Sequence, residues 1–165
     1  MIPTLILCLG NEILSDDAFG FHVANILMEN GGLGEGTEVV YASLAGFNLL
    51  NILENRERAL IVDTILTGNA EPGTIHFFHH GYFAPSLNLI CSHQVSLPVA
   101  LKLGGLLGLN LPRTIDVLAV EAADVHTLSE QLTPPVESAL GPAVERIKNW
   151  LEGKQEPIPC EGEYA

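Results

Sequence analysis

The segment Leu5-Ile6-Leu7-Cys8-Leu9 is apolar without a break and stops at Gly10-Asn11. A strand with one wet face alternates between apolar and polar residues, so a run that does not alternate must be covered on both sides. Ala59-Leu60-Ile61-Val62 makes the same demand and closes on Asp63. Two such strands call for helices above and below a parallel sheet, and the intervening sequence supplies them. Asp16 to Met28 carries apolar residues at Phe19, Val23, Ile26 and Leu27, a helical stripe preceded by the cap-type residues Ser15 and Asp16. Thr37 to Ser43 reads as a strand and Phe47 to Leu53 as a second helix, giving βαβαβ. The apolar share of 47% in 165 residues is high for so short a chain and fits a sheet buried on both faces.

Between Asp63 and the next strand, Gly73 to Phe78, lie nine residues that include Gly68 and Pro72. A parallel crossover needs about a dozen or more, usually helical. The Gly73 to Phe78 strand is therefore expected to run antiparallel to the one ending at Asp63. Val95 to Leu107 reads as a helix, Thr114 to Val120 as the last strand, and Thr133-Pro134-Pro135 as the capped start of a final helix reaching about Trp150. The expected fold is a three-layer α/β/α domain over residues 1–152. Its five-stranded twisted sheet is mostly parallel, with one antiparallel member. Residues 153–165, rich in Glu and Pro, lack a packing pattern and read as a disordered acidic tail.

Twenty acidic residues against seven basic ones give a formal charge of −13, which repels phosphate backbones and anionic lipid heads and argues against nucleic acid as a partner. The apolar stretch from Val95 to Pro112 is interrupted by Pro98, Lys102, Gly104, Gly105 and Gly108 and makes a poor membrane span. Met1 leads straight into a strand with no basic region or small-residue cleavage site, so a cytoplasmic location is expected. Cys8, Cys91 and Cys160 are odd in number and far apart, as expected of reduced thiols.

Ligand sites in open α/β sheets lie beyond the carboxyl ends of the strands, where the Gly10-to-Asp17 turn and Asp63 both fall. If the first strand sits at the sheet centre, Asp17 and Asp63 follow adjacent strands, and His93, at the start of a helix, can close a set of three. Two carboxylates and an imidazole with open positions suit a divalent transition metal. Each also has a plainer reading. An acid in a first helical turn gains about 0.3–1 kcal/mol from the macrodipole, so Asp16 and Asp17 also fit as caps. His93 also fits as a solvated helix-start residue. Asp63, closing an apolar strand, is harder to explain by structure alone. Alternation places His76 and His80 on one face as a possible metal pair or a polar edge, His22 reads as half-buried packing, and His126 as loop. The chain has no His-Glu-x-x-His, no Gly-x-Ser-x-Gly and no Walker loop. A two-aspartate protease dyad is not evident, because Asp63-Thr64 is followed by Ile65 and has no second copy, and Asp16 and Asp17, pointing about 100° apart on a helix, cannot substitute.

The run Leu7-Cys8-Leu9-Gly10-Asn11-Glu12-Ile13-Leu14-Ser15-Asp16-Asp17-Ala18-Phe19-Gly20 resembles the opening of the hydrogenase maturation endopeptidases. Leu60-Ile61-Val62-Asp63, Pro72-Gly73-Thr74, Ser92-His93-Gln94 and Leu132-Thr133-Pro134 with Val136-Glu137 follow in that family's order, so the resemblance spans about residues 4 to 150. Ala18 stands where many members have Gly, and Glu121 where some have a Gln-Pro pair. The resemblance implies a phosphorylase/hydrolase-like fold and a hydrolase often classed as aspartic-type. It also implies metal-binding and catalytic roles for Asp17, Asp63 and His93. The implied partner is the large-subunit precursor of a nickel-iron hydrogenase, which brings its own nickel and loses its C-terminal extension. Other divalent cations are then expected to be able to occupy the site in isolation.

Two other readings are open to the same residues. One is a nickel-sensing or nickel-chaperoning module that uses the trio without cutting peptides. The other is a peptidyl-tRNA hydrolase, whose family also opens with a strand and a Gly-Asn turn, although the −13 charge argues against it.

Overall fold

A computed structural model describes residues 3–43, 48–78 and 97–154. In chain order the elements are β1 (Thr4–Leu9), a 3-10 turn (Ser15–Ala18), α1 (Phe19–Asn30), β2 (Thr37–Ala42), α2 (Asn48–Leu53), β3 (Arg58–Ile65), β4 (Ile75–Phe78), α3 (Leu97–Leu106), β5 (Thr114–Glu121), α4 (Pro134–Glu137) and α5 (Leu140–Leu151). The five strands form one sheet in the order β2-β1-β3-β5-β4. The first four are parallel and β4 is antiparallel to β5.

Every residue of β1 is buried, as its unbroken apolar run requires. Alternation divides the strand side chains between two cores. Ile6, Cys8, Leu60, Val62 and Leu118 pack under Phe19, Val23 and Leu27 of α1 and Val144, Ile147 and Trp150 of α5. Leu5, Leu7, Ala59, Ile61 and Ile115 face the other way, against Leu49 and Leu53 of α2. The three expected layers are present, and no helix among the described residues is long and apolar enough to cross a membrane.

Some local expectations shift. β4 runs opposite to β3 as the short connection requires, yet β5 lies between them, so the link steps over one strand. β3, and not β1, occupies the middle of the sheet, but β1 and β3 are neighbours, which is what the acid pair needs. The final helix is two helices. Pro142 has no N–H to offer the Ser138 carbonyl, and its ring would strike that carbonyl in a continuous helix. The chain therefore breaks after Glu137 and restarts at Leu140, with Pro142 in the tolerant first turn.

Candidate active site

The polar centre of the molecule lies at the carboxyl ends of β1, β3 and β5, and two glycines build its first wall. A Cβ on Gly10 would come within 2.1 Å of the Asp17 carbonyl oxygen, and one on Gly20 within 2.2 Å of the Leu9 carbonyl oxygen. Only at glycine can the backbones approach so closely, so the 3-10 turn and the start of α1 fold down on the end of β1. The Asn11 amide then donates to the Asp17 carbonyl at 3.1 Å. Tyr41, at the end of β2, donates its hydroxyl to the Gly10 carbonyl at 3.1 Å and holds the turn from the side. Burial, and next the charge of Glu12, push the Tyr41 phenol above its ordinary range, which keeps it a donor.

Asp17 and Asp63 are both buried, 5% and 3% exposed, and Thr64 ties them together. The Thr64 hydroxyl donates to Asp17 Oδ1 at 3.0 Å, while the Thr64 amide donates to Asp63 Oδ1 at 2.8 Å. Successive strand residues point to opposite faces, so Thr64 shares the α1 side with Val62, and Asp63 shares the α2 side with Ile61. The two carboxylates thus approach from either side of the sheet rim and meet at one residue. Two buried carboxylates that share one neighbour are costly unless donors or a cation face them, which makes this rim a candidate cation site.

Among the described residues no group of three His, Cys, Asp or Glu side chains is placed to hold a metal ion. The acid pair brings together two of the three expected ligands. His93, the expected third, lies outside the described residues, as do Cys91, Cys160, His80 and residues 155–165.

Asp16 is not a helix cap. It is fully buried and turned away from Asp17, accepting the amides of Ala123 at 2.8 Å, Asp124 at 3.0 Å and Thr133 at 2.7 Å, and the Thr133 hydroxyl at 2.9 Å. It fastens the β5–α4 connection to the β1 turn. The loop is reinforced where Asp124 accepts the His126 and Thr127 amides and the Thr127 hydroxyl. Those bonds, the Thr127 hydroxyl first, lower the Asp124 carboxyl from 3.8 to about 2.

Glu121, noted in the sequence only as a departure from the family pattern, is another buried acid. Its carboxylate takes the amides of Thr67 at 2.8 Å and Gly68 at 3.0 Å and the Thr67 hydroxyl at 2.9 Å. His76 Nε2 lies 3.4 Å from Glu121 Oε2, close enough for an ion pair but misaligned for a hydrogen bond. His76 therefore belongs to this cluster. His22 reaches the Glu130 carbonyl at 3.3 Å and edges onto Phe21, and His126 lies in a loop, both as expected.

The two residues the sequence reading missed are Thr64 and Tyr41. Thr64 did leave a signal, because two successive polar residues inside an apolar strand put one on each buried face.

Residues 21–150 match the profile of the hydrogenase maturation protease family. The hydrogenase 2 maturation protease of Escherichia coli K12 is 31% identical over 162 residues, which cover 95% of this chain and 96% of that one. Among solved structures, the hydrogenase maturating endopeptidase HybD from E. coli superposes with a TM-score of 0.81 at 28% identity, covering 92% of this chain and 93% of that chain. The [NiFe] hydrogenase maturation protease HybD from Thermococcus kodakarensis gives a TM-score of 0.72 at 27% identity over 90% of this chain and 99% of that chain.

Proposed function

Since the chain belongs to the hydrogenase maturation protease family, and is thus an endopeptidase, we propose that it removes the C-terminal extension from the large-subunit precursor of a nickel-iron hydrogenase after nickel insertion, with Asp17, Asp63 and His93 binding the precursor's nickel. The observation that carries this reading is the meeting of two buried carboxylates on Thr64 at the carboxyl end of the sheet. Carboxylates leave a divalent ion with open positions, as a site must if it engages a metal that already has ligands in another protein. In this reading the metal is cargo of the substrate, and the site recognises precursor that has been loaded. A metal ion beside a scissile bond supplies Lewis acidity or an activated water, in keeping with a sequence that has no Ser or His-Glu nucleophile motif. This chain's residues hold the geometry. Gly10, Gly20 and Tyr41 fix Asp17, and Thr64 fixes both acids relative to each other.

The test is to incubate the purified protein with nickel-iron hydrogenase large-subunit precursor, with and without nickel loading, and to follow precursor mass. Shortening of the loaded precursor alone is expected. Efficient cutting of metal-free precursor would remove nickel from the recognition step, and metal binding without any cutting would favour the chaperone reading of this site.

A further inference from the structure

Both chain segments that carry the acid pair lead on to a second feature at the same end of the sheet. From Asp63 and Thr64 the chain runs through the loop held by Glu121 to Pro72 and Gly73, whose amide donates to the Glu121 carbonyl at 2.8 Å. From Asp16 the hydrogen bonds to Thr133 lead directly to Pro134 and Pro135 at the start of α4. These two paths converge as the walls of a groove of about 290 Å³, lined by Pro72, Gly73, Ile75, Pro135, Pro142 and Arg146 among others. The walls meet because residue 73 has no side chain, since a Cβ there would lie 2.4 Å from the Pro135 carbonyl oxygen.

Arg146 is the one charged side chain in this lining. It is half-buried and makes no hydrogen bond or ion pair among the described residues. Of the other three arginines two are engaged, and the Arg113 side chain is exposed away from any partner among the described residues. Arg58 reaches Thr4 and the Leu151 carbonyl and covers the Trp150 ring, and Arg56 pairs with Glu38. In a chain with twenty acids and seven bases, an arginine left without an acid beside an apolar groove is suited to a carboxylate from outside. Proline and isoleucine walls accept an extended peptide with little loss of their own side-chain freedom.

We propose that this groove binds a carboxylate of the peptide segment that the enzyme removes, so that Arg146 holds the outgoing end of the substrate while the scissile bond lies at the acid pair. The inference rests on the endopeptidase reading above. The carboxylate has two possible sources, the chain terminus of the precursor or an Asp or Glu side chain within its extension.

Fluorescein-labelled synthetic peptides copying the precursor's last residues separate these sources. They are made as the free acid, as the C-terminal amide, and with internal Asp and Glu replaced by Asn and Gln. Polarisation titrations use the full-length protein and its Arg146→Gln and Arg146→Lys variants. The free acid should bind Arg146→Gln about tenfold more weakly than wild type, with partial recovery in Arg146→Lys. The peptide that has lost the recognised carboxylate should bind wild type and Arg146→Gln alike, which identifies the source. With nickel-loaded precursor, Arg146→Gln should raise KM by the same factor and leave kcat unchanged. Equal binding of every peptide by wild type and Arg146→Gln, or no binding by either, would overturn the proposal. So would a change of oligomeric state in the variant, which would show a second copy in the groove. Failure of wild-type protein to cut any precursor would sink the endopeptidase reading instead, and the peptide titrations would still judge the groove.

Discussion

Asp16 and Asp17 are neighbours in sequence and both are buried, yet they are held in opposite ways. Asp16 is surrounded by three backbone amides and a hydroxyl from a connection more than a hundred residues downstream. Asp17 meets the Thr64 hydroxyl, and through Thr64 it meets Asp63. A carboxylate ringed by main-chain donors from a separate segment is a fastening, because each bond fixes backbone. A carboxylate linked through the hydroxyl and amide of one residue to a second carboxylate fixes no distant segment, and suits a site for something positive. Glu121 repeats the first pattern with Thr67 and Gly68. The rim of this sheet therefore sets a linked pair of acids, the proposed site, between two acids that fasten loops.

The largest effects should fall on activity and leave stability almost untouched. Asp63→Asn and His93→Ala should each abolish trimming of nickel-loaded precursor, a loss of at least about a hundredfold, while the urea midpoint stays near wild type. Full activity in His93→Ala would remove the imidazole from the site. A large fall in stability in Asp63→Asn would place Asp63 in the same class as Asp16.

Asp16→Ala should do the opposite. It leaves the amides of Ala123, Asp124 and Thr133 without their acceptor, and stability should drop by roughly 3–4 kcal/mol by urea denaturation. Activity should fall only as far as the folded population falls. A stable but inactive Asp16→Ala protein would break the comparison between the two neighbours.

Thr64→Val keeps the volume of the side chain and the amide bond to Asp63 but deletes the hydroxyl facing Asp17. Trimming should slow about tenfold at saturating precursor, and Thr64→Ser should recover most of it. An unchanged rate in the valine variant would mean that the acids hold their positions without Thr64.

These contrasts also show what could be read from the sequence. β1 and β3 were legible because a strand covered on both faces has to be written as an unbroken apolar run, and the direction of β4 followed from a connection too short for a crossover. The insertion of β5 between β3 and β4 was not legible, since strand order is set by long-range packing and no local residue encodes it. Asp16 resembled a cap because its true donors lie at Ala123, Asp124 and Thr133, far outside any local window. Glu121 gave no sign of its partners for the same reason. Of the acid pair, Asp63 was visible inside the end of an apolar strand and Asp17 in the turn after another, while Thr64 was passed over as a strand residue.

The smallest expected effect concerns Asp124, the outermost part of the Asp16 fastening. Its carbonyl accepts the Asp16 amide at 2.9 Å, and its own amide returns to Asp16. Its carboxyl titrates at about 2 in the folded chain against 3.8 as the ordinary value, because the Thr127 hydroxyl and the two loop amides favour the charged form. A carboxyl lowered on folding contributes stability that is fully present above the unfolded value and is lost as pH falls towards the folded one. Wild type should therefore exceed Asp124→Asn in urea midpoint at pH 7, and the gap should begin to close below the ordinary value of 3.8 and be gone near 2. Because the carboxylate is exposed, the gap should be small and should shrink further in high salt. Trimming at neutral pH should be unchanged, since nothing in the Asp17–Thr64–Asp63 linkage depends on the Asp124 charge. A gap independent of pH would mean that the loop is held by its backbone bonds alone, and lost activity at full stability would mean that this loop reaches the substrate.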